Sequence, residues 1–188
     1  RILYTGSFYD RRQPDNLWQA VSELVRDGQL DPQQVEIKII GRNTIDFVLG
    51  SFVSDEMIRS MVLIKGFITH GETLIEMQTA DVLLIYIPSG PNSASVLTGK
   101  LFEYLRTGKA ILTIAPPKGL AAKIVTEAGT GFVADFDDIS SIKEQVHKLY
   151  ISWKQGSLKL IKSDQSYISR FSRQEQARQL ADLIREIL

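Results

Sequence analysis

The residues best suited to chemistry sit in short segments rich in glycine, small polar side chains and cations. Thr98-Gly99-Lys100 opens a stretch with helical spacing. The first amides of a helix have no intrahelical acceptor and lie at the positive end of its dipole, so they favour an anion. Gly99 lets such a group approach closely, and Lys100 adds a point charge. One turn further, Glu103 is placed to accept two hydroxyls, as from a ribose. A surface glutamate favoured by the helix dipole is the other reading. A second segment runs Gly6-Ser7-Phe8-Tyr9-Asp10-Arg11-Arg12. Its adjacent arginines suit either a diphosphate clamp or a solvated pair at a helix entry. This segment lacks G-x-G-x-x-G, which disfavours an NAD or FAD site. The Thr98 segment is not a Walker A loop either, because Ala94 and Leu101 stand where that motif needs Gly and Ser or Thr.

Other chemistries are excluded by what the chain lacks. It has 188 residues and no cysteine, which removes disulfides, thiolate metal sites and thiol catalysis. Its two histidines, His70 and His147, are far apart with no matching carboxylate spacing, so no metal site is expected. His70 follows a strand, where a ligand can reach it. His147 lies on an amphipathic pattern and reads as structural. Asp135, Asp137 and Asp138 precede a helical pattern and read as caps. No Ser-His-Asp arrangement emerges. Lys+Arg and Asp+Glu balance at 22 each, which argues against a dedicated nucleic-acid binder. No apolar run approaches the ~18 residues of a membrane span, and no signal peptide is read, so a cytoplasmic location is expected.

These segments need a scaffold, and the hydrophobic pattern supplies one. Apolar runs at residues 2–5, 35–40, 62–67, 82–87, 110–115 and 131–134 read as strands, several of them closed by Gly or Pro. Between them lie helical patterns. The first begins at Asp15, taken as its cap, and carries Leu17, Ala20, Val21, Leu24 and Val25. Residues 43–61 read as one helix interrupted by Gly50, with Met57 and Met61 as core filler. Further helices are expected over 73–80, 100–106, 120–128 and 140–153, the latter with Trp153 inward. A last helix starts at Ser172, with Glu175 completing a capping box. Residues 155–188 thus form a connector and C-terminal helix.

Strands alternating with helices, with little polar alternation inside the strands, predict an α/β fold. The expected architecture is a single doubly wound Rossmann-like domain over residues 1–188, with a six-stranded parallel sheet and helices on both faces. Ligands of such sheets bind at the carboxyl ends of the strands, near the point where strand order reverses. The informative loops are therefore residues 6–12, 41–43, 68–72, 88–99 and 116–119. The chain opens inside an apparent strand, so it is expected to be a piece of a longer protein with the missing part upstream.

The segment Lys100-Leu101-Phe102-Glu103-Tyr104-Leu105-Arg106-Thr107-Gly108-Lys109-Ala110-Ile111-Leu112 resembles the KLFEYLAxGKPIL signature of group 1, family 4-type retaining glycosyltransferases of the GT-B fold. Tyr4-Thr5-Gly6-Ser7 through Arg12 resembles the GR-x4-KG start of that family's C-terminal domain. Ala80-Asp81-Val82-Leu83-Leu84 resembles its ADVLLxPS strand, and Gly129-Thr130-Gly131-Phe132-Val133 its GxGxLV strand. The matches recur in order across residues 2–150.

The resemblance implies a donor-binding domain that takes a nucleoside diphosphate sugar, with retention and without a metal or other cofactor. It implies that Glu103, the second glutamate of an E-x7-E motif, holds the donor ribose. Arg12 falls at the diphosphate-binding lysine. Gly99 and Lys100, after Thr98, lie where helix-start amides meet the phosphates, and Ile68 lies on the loop whose backbone reads the base. Two positions depart: Ser95 replaces the first glutamate, and Ser7 replaces the arginine after Gly6. Charge compensation then leans on Arg12, Arg11 and Lys100. The implied partner is an N-terminal acceptor domain of the same chain, and cell-surface polysaccharide or glycoconjugate synthesis is the implied context. Peripheral membrane association of the full-length protein is a further expectation. A nucleotide-sugar epimerase, with His70 as acid/base candidate, and a non-catalytic GT-B-like binding module are the alternatives.

Overall fold

A computed structural model describes residues 1–8 and 13–187. Among these residues, strands and helices alternate as expected. β1 (Ile2–Thr5), β2 (Ile37–Ile40), β3 (Val62–Lys65), β4 (Val82–Tyr86), β5 (Ala110–Ala115) and β6 (Gly131–Asp135) form one all-parallel sheet in the order β3-β2-β1-β4-β5-β6. The chain order reverses between β1 and β4, which is the switch point of a Rossmann sheet.

Both faces are covered. α1 (Asp15–Arg26), α2 (Ile45–Leu49), α3 (Glu56–Met61) and α7 (Ile139–Lys154) pack on the face that carries Ile2, Tyr4, Ile37, Leu84 and Tyr86. α4 (His70–Thr79), α5 (Gly99–Thr107), α6 (Leu120–Glu127) and α8 (Gln165–Ser169) cover the face with Leu3, Leu83, Ile85 and Ile111. Burial on both sides is why β1, β4 and β5 are apolar at nearly every position. Lys38 on β2 is the exception. It is buried, and both Glu76 carboxylate oxygens on α4 accept from its Nζ at 2.7 Å. Lys65 adds a third contact to Glu76 at 3.1 Å. The Glu76 carboxyl is held below its usual range, first by its bond to Lys38.

Several local expectations change. Pro14, not Asp15, occupies the cap position of α1, and the Asp15 side chain makes no cap bond. Residues 43–61 form two short helices, because Gly50 adopts φ +51° between them. A side chain there would meet the Asp15 carboxylate. α4 starts at His70, three residues earlier than read, because Thr69 and Glu72 make a reciprocal capping box. Trp153 is more than a third exposed, not inward. α9 (Arg173–Ile187) starts where expected, and the Ser172 hydroxyl accepts from the Glu175 amide. The return half of that box is missing, since the Glu175 carboxylate pairs with Arg178 instead. α9 buries none of its residues, and Leu180, Leu183 and Ile184 are about half exposed.

One bond fixes α5 against the sheet. The fully buried Tyr104 hydroxyl accepts from the Thr5 amide at 3.0 Å and shares a 2.9 Å bond with the Thr5 hydroxyl. Replacing Tyr104 with Phe leaves a buried amide unpaired. The expected loss is about 1–3 kcal/mol in urea unfolding. An unchanged midpoint and slope would show that the Thr5 amide finds another acceptor.

Candidate functional site

The site follows from how β1 and β4 part. Their pairing stops after Leu3 and Leu83, while β1 stays paired with β2 through Thr5. Beyond that point a crevice opens, walled by Tyr4, Gly6, Ser7, Phe8, Ile85, Tyr86, Thr98 and Lys100. Its cavity is about 260 Å³. That is smaller than a typical pocket for a whole drug-sized ligand, and it suits a group the size of a diphosphate. A larger hollow of about 570 Å³ lies near Arg1 and Pro32, at the amino ends of the strands. Arg1 there is already paired with Glu36.

The loop after β1 is laced to the loop after β2. The Asn43 side chain donates to the Gly6 carbonyl at 2.9 Å and accepts from the Phe8 amide at 2.8 Å. The Ser7 hydroxyl accepts from the Arg42 amide at 3.0 Å. The two chains approach so closely that a side chain at Gly41 would run into the Gly6 carbonyl. Gly6 itself has φ +135°, and a Cβ there would lie 2.7 Å from the Lys100 Nζ. Glycine is therefore needed for the lysine to reach in.

The opposite wall is the start of α5. Thr98 is its cap residue, yet its side chain makes no cap bond, and its buried Oγ1 has no partner. Among the described residues no protein acceptor satisfies the Gly99 and Lys100 amides. The space a Cβ on Gly99 would occupy is open. The Lys100 Nζ sits 3.8 Å from the centroid of the Tyr4 ring. No carboxylate lies within ion-pair distance of it among the described residues. Burial pulls the Lys100 ammonium down to about 8. The neighbouring phenols move the other way: burial pushes Tyr104 up to about 12, and burial, then the charge of Asp15, raises Tyr86 well above its ordinary range.

Of the residues singled out from sequence, Gly6, Ser7, Thr98 and Lys100 meet in this crevice. Gly99 stands between the last two on the helix. Glu103 lies one turn along α5, outside the crevice wall, and its Oε1 is 3.9 Å from His70 Nε2 at the start of α4. Ile68 packs against the second core from the loop before α4. Ser95 is exposed in a short 3-10 turn, Ser93–Ser95, on the approach to α5. Arg11 and Arg12 lie outside the described residues. Sequence reading missed Tyr4, Ile85 and Tyr86 as site walls, since apolar residues near strand ends read as core, and Phe8 lay in an informative loop without an assigned role. Asn43 fell in an informative loop but had no assigned role. No group of three or more His, Cys, Asp or Glu suited to a metal occurs among the described residues. No helix among them is long and apolar enough to cross a membrane.

No protein-family model matches this sequence, and no curated protein matches it by sequence. Solved structures do match in shape. The pneumococcal O-GlcNAc transferase GtfA, solved with UDP and GlcNAc, is 16% identical with a TM-score of 0.65. The match covers 99% of this chain and 35% of that one. The sucrose-phosphate synthase of Thermosynechococcus elongatus is 15% identical with a TM-score of 0.67, over 99% of this chain and 45% of that one. The lipopolysaccharide outer core galactosyltransferase WaaB is 14% identical with a TM-score of 0.66, over 100% and 49%. The chain thus spans between about a third and half the length of the structures it matches. The likeness shows the fold, a Rossmann-like α/β unit shared with these glycosyltransferases, in accord with a GT-B C-terminal domain.

A largely buried ammonium with no counter-ion among the described residues is a cost to the fold. Replacing Lys100 with Met is expected to raise stability by about 1–3 kcal/mol at neutral pH. The sign follows from the lowered value. Below it, the folded state carries a poorly solvated charge that the unfolded state solvates fully. As pH rises through about 8, the folded protein sheds the proton and the penalty fades. The advantage of the Met variant therefore shrinks in alkali. Thermal melts of both proteins across pH check this, and a destabilised Met variant at neutral pH would contradict it.

Proposed function

We propose that this chain is the donor-binding domain of a glycosyltransferase that moves a sugar from a nucleoside diphosphate sugar to an acceptor. The observation that carries this reading is the conjunction at the switch point: a lysine with no carboxylate partner among the described residues, an uncapped helix start and an orphan threonine hydroxyl around one crevice. Each of these groups donates or attracts negative charge, and together they suit the diphosphate. The free amides of α5 and Lys100 face one side of it, and the Gly6-Ser7 turn faces the other. The matched fold is found in an O-GlcNAc transferase solved with UDP and GlcNAc and in a lipopolysaccharide galactosyltransferase.

The chemistry of transfer then follows. As the bond from sugar to diphosphate breaks, negative charge grows on the departing oxygens. Donors already oriented at that place stabilise it without having to reorganise. One lysine and a helix dipole of about half a unit charge leave part of a diphosphate uncompensated. In this reading Arg11 and Arg12 supply the remainder. Glu103 accepts from the ribose hydroxyls, Ile68 contributes to the base site and Ser95 faces the sugar. Retention at the anomeric carbon, action without a metal, and a place in cell-surface polysaccharide or glycoconjugate synthesis complete the proposal. The acceptor is held by a second, N-terminal domain.

The test is calorimetry with UDP, GDP, ADP and the matching nucleosides. One diphosphate should bind. Lys100→Ala should weaken it about 10–100-fold and leave the nucleoside nearly unchanged, while Glu103→Ala should weaken both by about 1–3 kcal/mol. Equal losses of both ligands in the Lys100 variant would remove that residue from the phosphate site. Positioning both reactants can supply ~7–11 kcal/mol of a transfer barrier, and this chain positions only the donor. Incubated with donor sugars and candidate acceptors, it should release no nucleoside diphosphate at enzymatic rates. Turnover at such rates would place the whole active site within these 188 residues.

A further inference from the structure

We infer that Lys100 makes the site select its ligand by charge, because the lysine takes up a proton from solvent when an anion enters the crevice. The inference rests on the anion site of the preceding section and deepens it.

The geometry is that of a cation with no counter-ion among the described residues. The Lys100 Nζ lies over the Tyr4 ring, and Gly6 is bare so that it can reach there. The ring face returns part of the solvation the ammonium gives up on burial, but it offers no lone pair. The Thr98 hydroxyl, also on the crevice wall, is buried and has no hydrogen-bond partner. The empty site thus tolerates either form of the amine. A phosphate oxygen in the crevice changes the balance. It attracts only the ammonium form and accepts a hydrogen bond from it, so the bound state holds the proton far more tightly. A neutral ligand, such as a nucleoside, brings no such gain.

Among the described residues, the groups around Lys100 leave it as the one that switches. β1 contributes Tyr4 and β4 contributes Tyr86, while Tyr104 and Glu103 lie on its own helix. His70 from α4 stands beside Glu103, and Asp15 from α1 acts on Tyr86. The Tyr86 and Tyr104 phenols titrate above their ordinary range and stay neutral. The free Lys100 titrates at about 8, within reach of ordinary buffers. The terminal phosphate of a nucleoside diphosphate is fully ionised above about pH 7.5. The adenine of ADP has no ring N–H to lose in alkali, so ADP does not titrate in the alkaline range. The bases of UDP and GDP do, and their matching nucleosides are run as controls for that proton.

The experiment is calorimetry of UDP, GDP and ADP in pairs of buffers with different ionisation enthalpies. At about pH 8.5 the wild-type chain should take up roughly 0.7 proton per diphosphate bound, and essentially none per nucleoside. Affinity should be nearly constant around pH 7–7.5 and fall by up to tenfold per pH unit above about 8, a fall that the matching nucleoside does not show. Lys100→Met, checked for a cooperative melt, should bind more weakly with no proton uptake and a flat profile. Wild-type binding without uptake, or uptake that persists in the Met variant, overturns the inference while leaving the site intact. Absence of binding by all three diphosphates at every pH overturns the site and the inference together. The wild-type profile decides the matter even if the variant does not fold.

Discussion

The structure turns on the bond between the Tyr104 hydroxyl and the Thr5 amide. In a parallel sheet each interior strand pairs on both sides, but at the switch point the neighbours must part, because the chain continues away in opposite directions from it. β1 loses β4 after Leu3 yet keeps β2 to its end. The Thr5 amide is therefore left inside the protein without a strand to receive it, and an unpaired buried amide is costly. Tyr104 meets that need from a helix that starts at the crevice. The same contact fixes the start of α5 beside Gly6. The opening between the strands and the helix end that fills it are set by one side chain.

Much of this could be read from the residues themselves. Strands β1, β4 and β5 show in the sequence because burial on both faces removes polar alternation, and Gly99–Thr107 shows because its apolar spacing is regular and Gly108 closes it in the left-handed conformation. The location of the site at the strand ends followed from that topology. What stayed hidden depends on partners distant in the chain. Gly50 breaks the helix at 43–61 because Asp15 stands where a side chain would go. Lys38 is tolerated inside a strand because Glu76 reaches it with both oxygens. Trp153 has the spacing of a core residue, but the helix ends there and little packs on it. The desolvation of Lys100 depends on Tyr4, Gly6 and Tyr86, which belong to two other strands.

Lys38 and Lys100 illustrate opposite uses of the same chemistry. At Glu76 the carboxylate is ringed by Lys38 and Lys65, its charge is compensated, and the result is a brace between α4 and the sheet edge. Removing Glu76 or Lys38 there would leave a buried charge uncompensated, the expensive outcome. At Lys100 no counter-charge stands within ion-pair distance among the described residues. An apolar side chain of similar length would fill the place at lower cost. In the proposed reading, the difference separates a structural ion pair from a cation that meets its counter-charge on the ligand.

Helix caps make the same argument independently. In this sheet the helices that follow strands directly begin at the rim where the strands end. α2 is capped by the Thr44 side chain, α4 by Thr69 and α7 by Asp138. α5 has a threonine at its cap position too, so the residue type suited to satisfying the free amides is present. It does not do so. Its hydroxyl is buried and unpartnered, and the first amides of the helix remain open toward the crevice. The α1 and α6 starts are also uncapped, but Pro14 and Gly119 stand there, residues with no side-chain oxygen to offer. Among the described residues, only at α5 is a capping side chain present and unused, and that helix start also holds the ammonium that has no carboxylate partner among them. A capping bond would occupy the donors an anion needs. Leaving Thr98 unbonded keeps the hydroxyl, the amides and Lys100 available to one ligand at once.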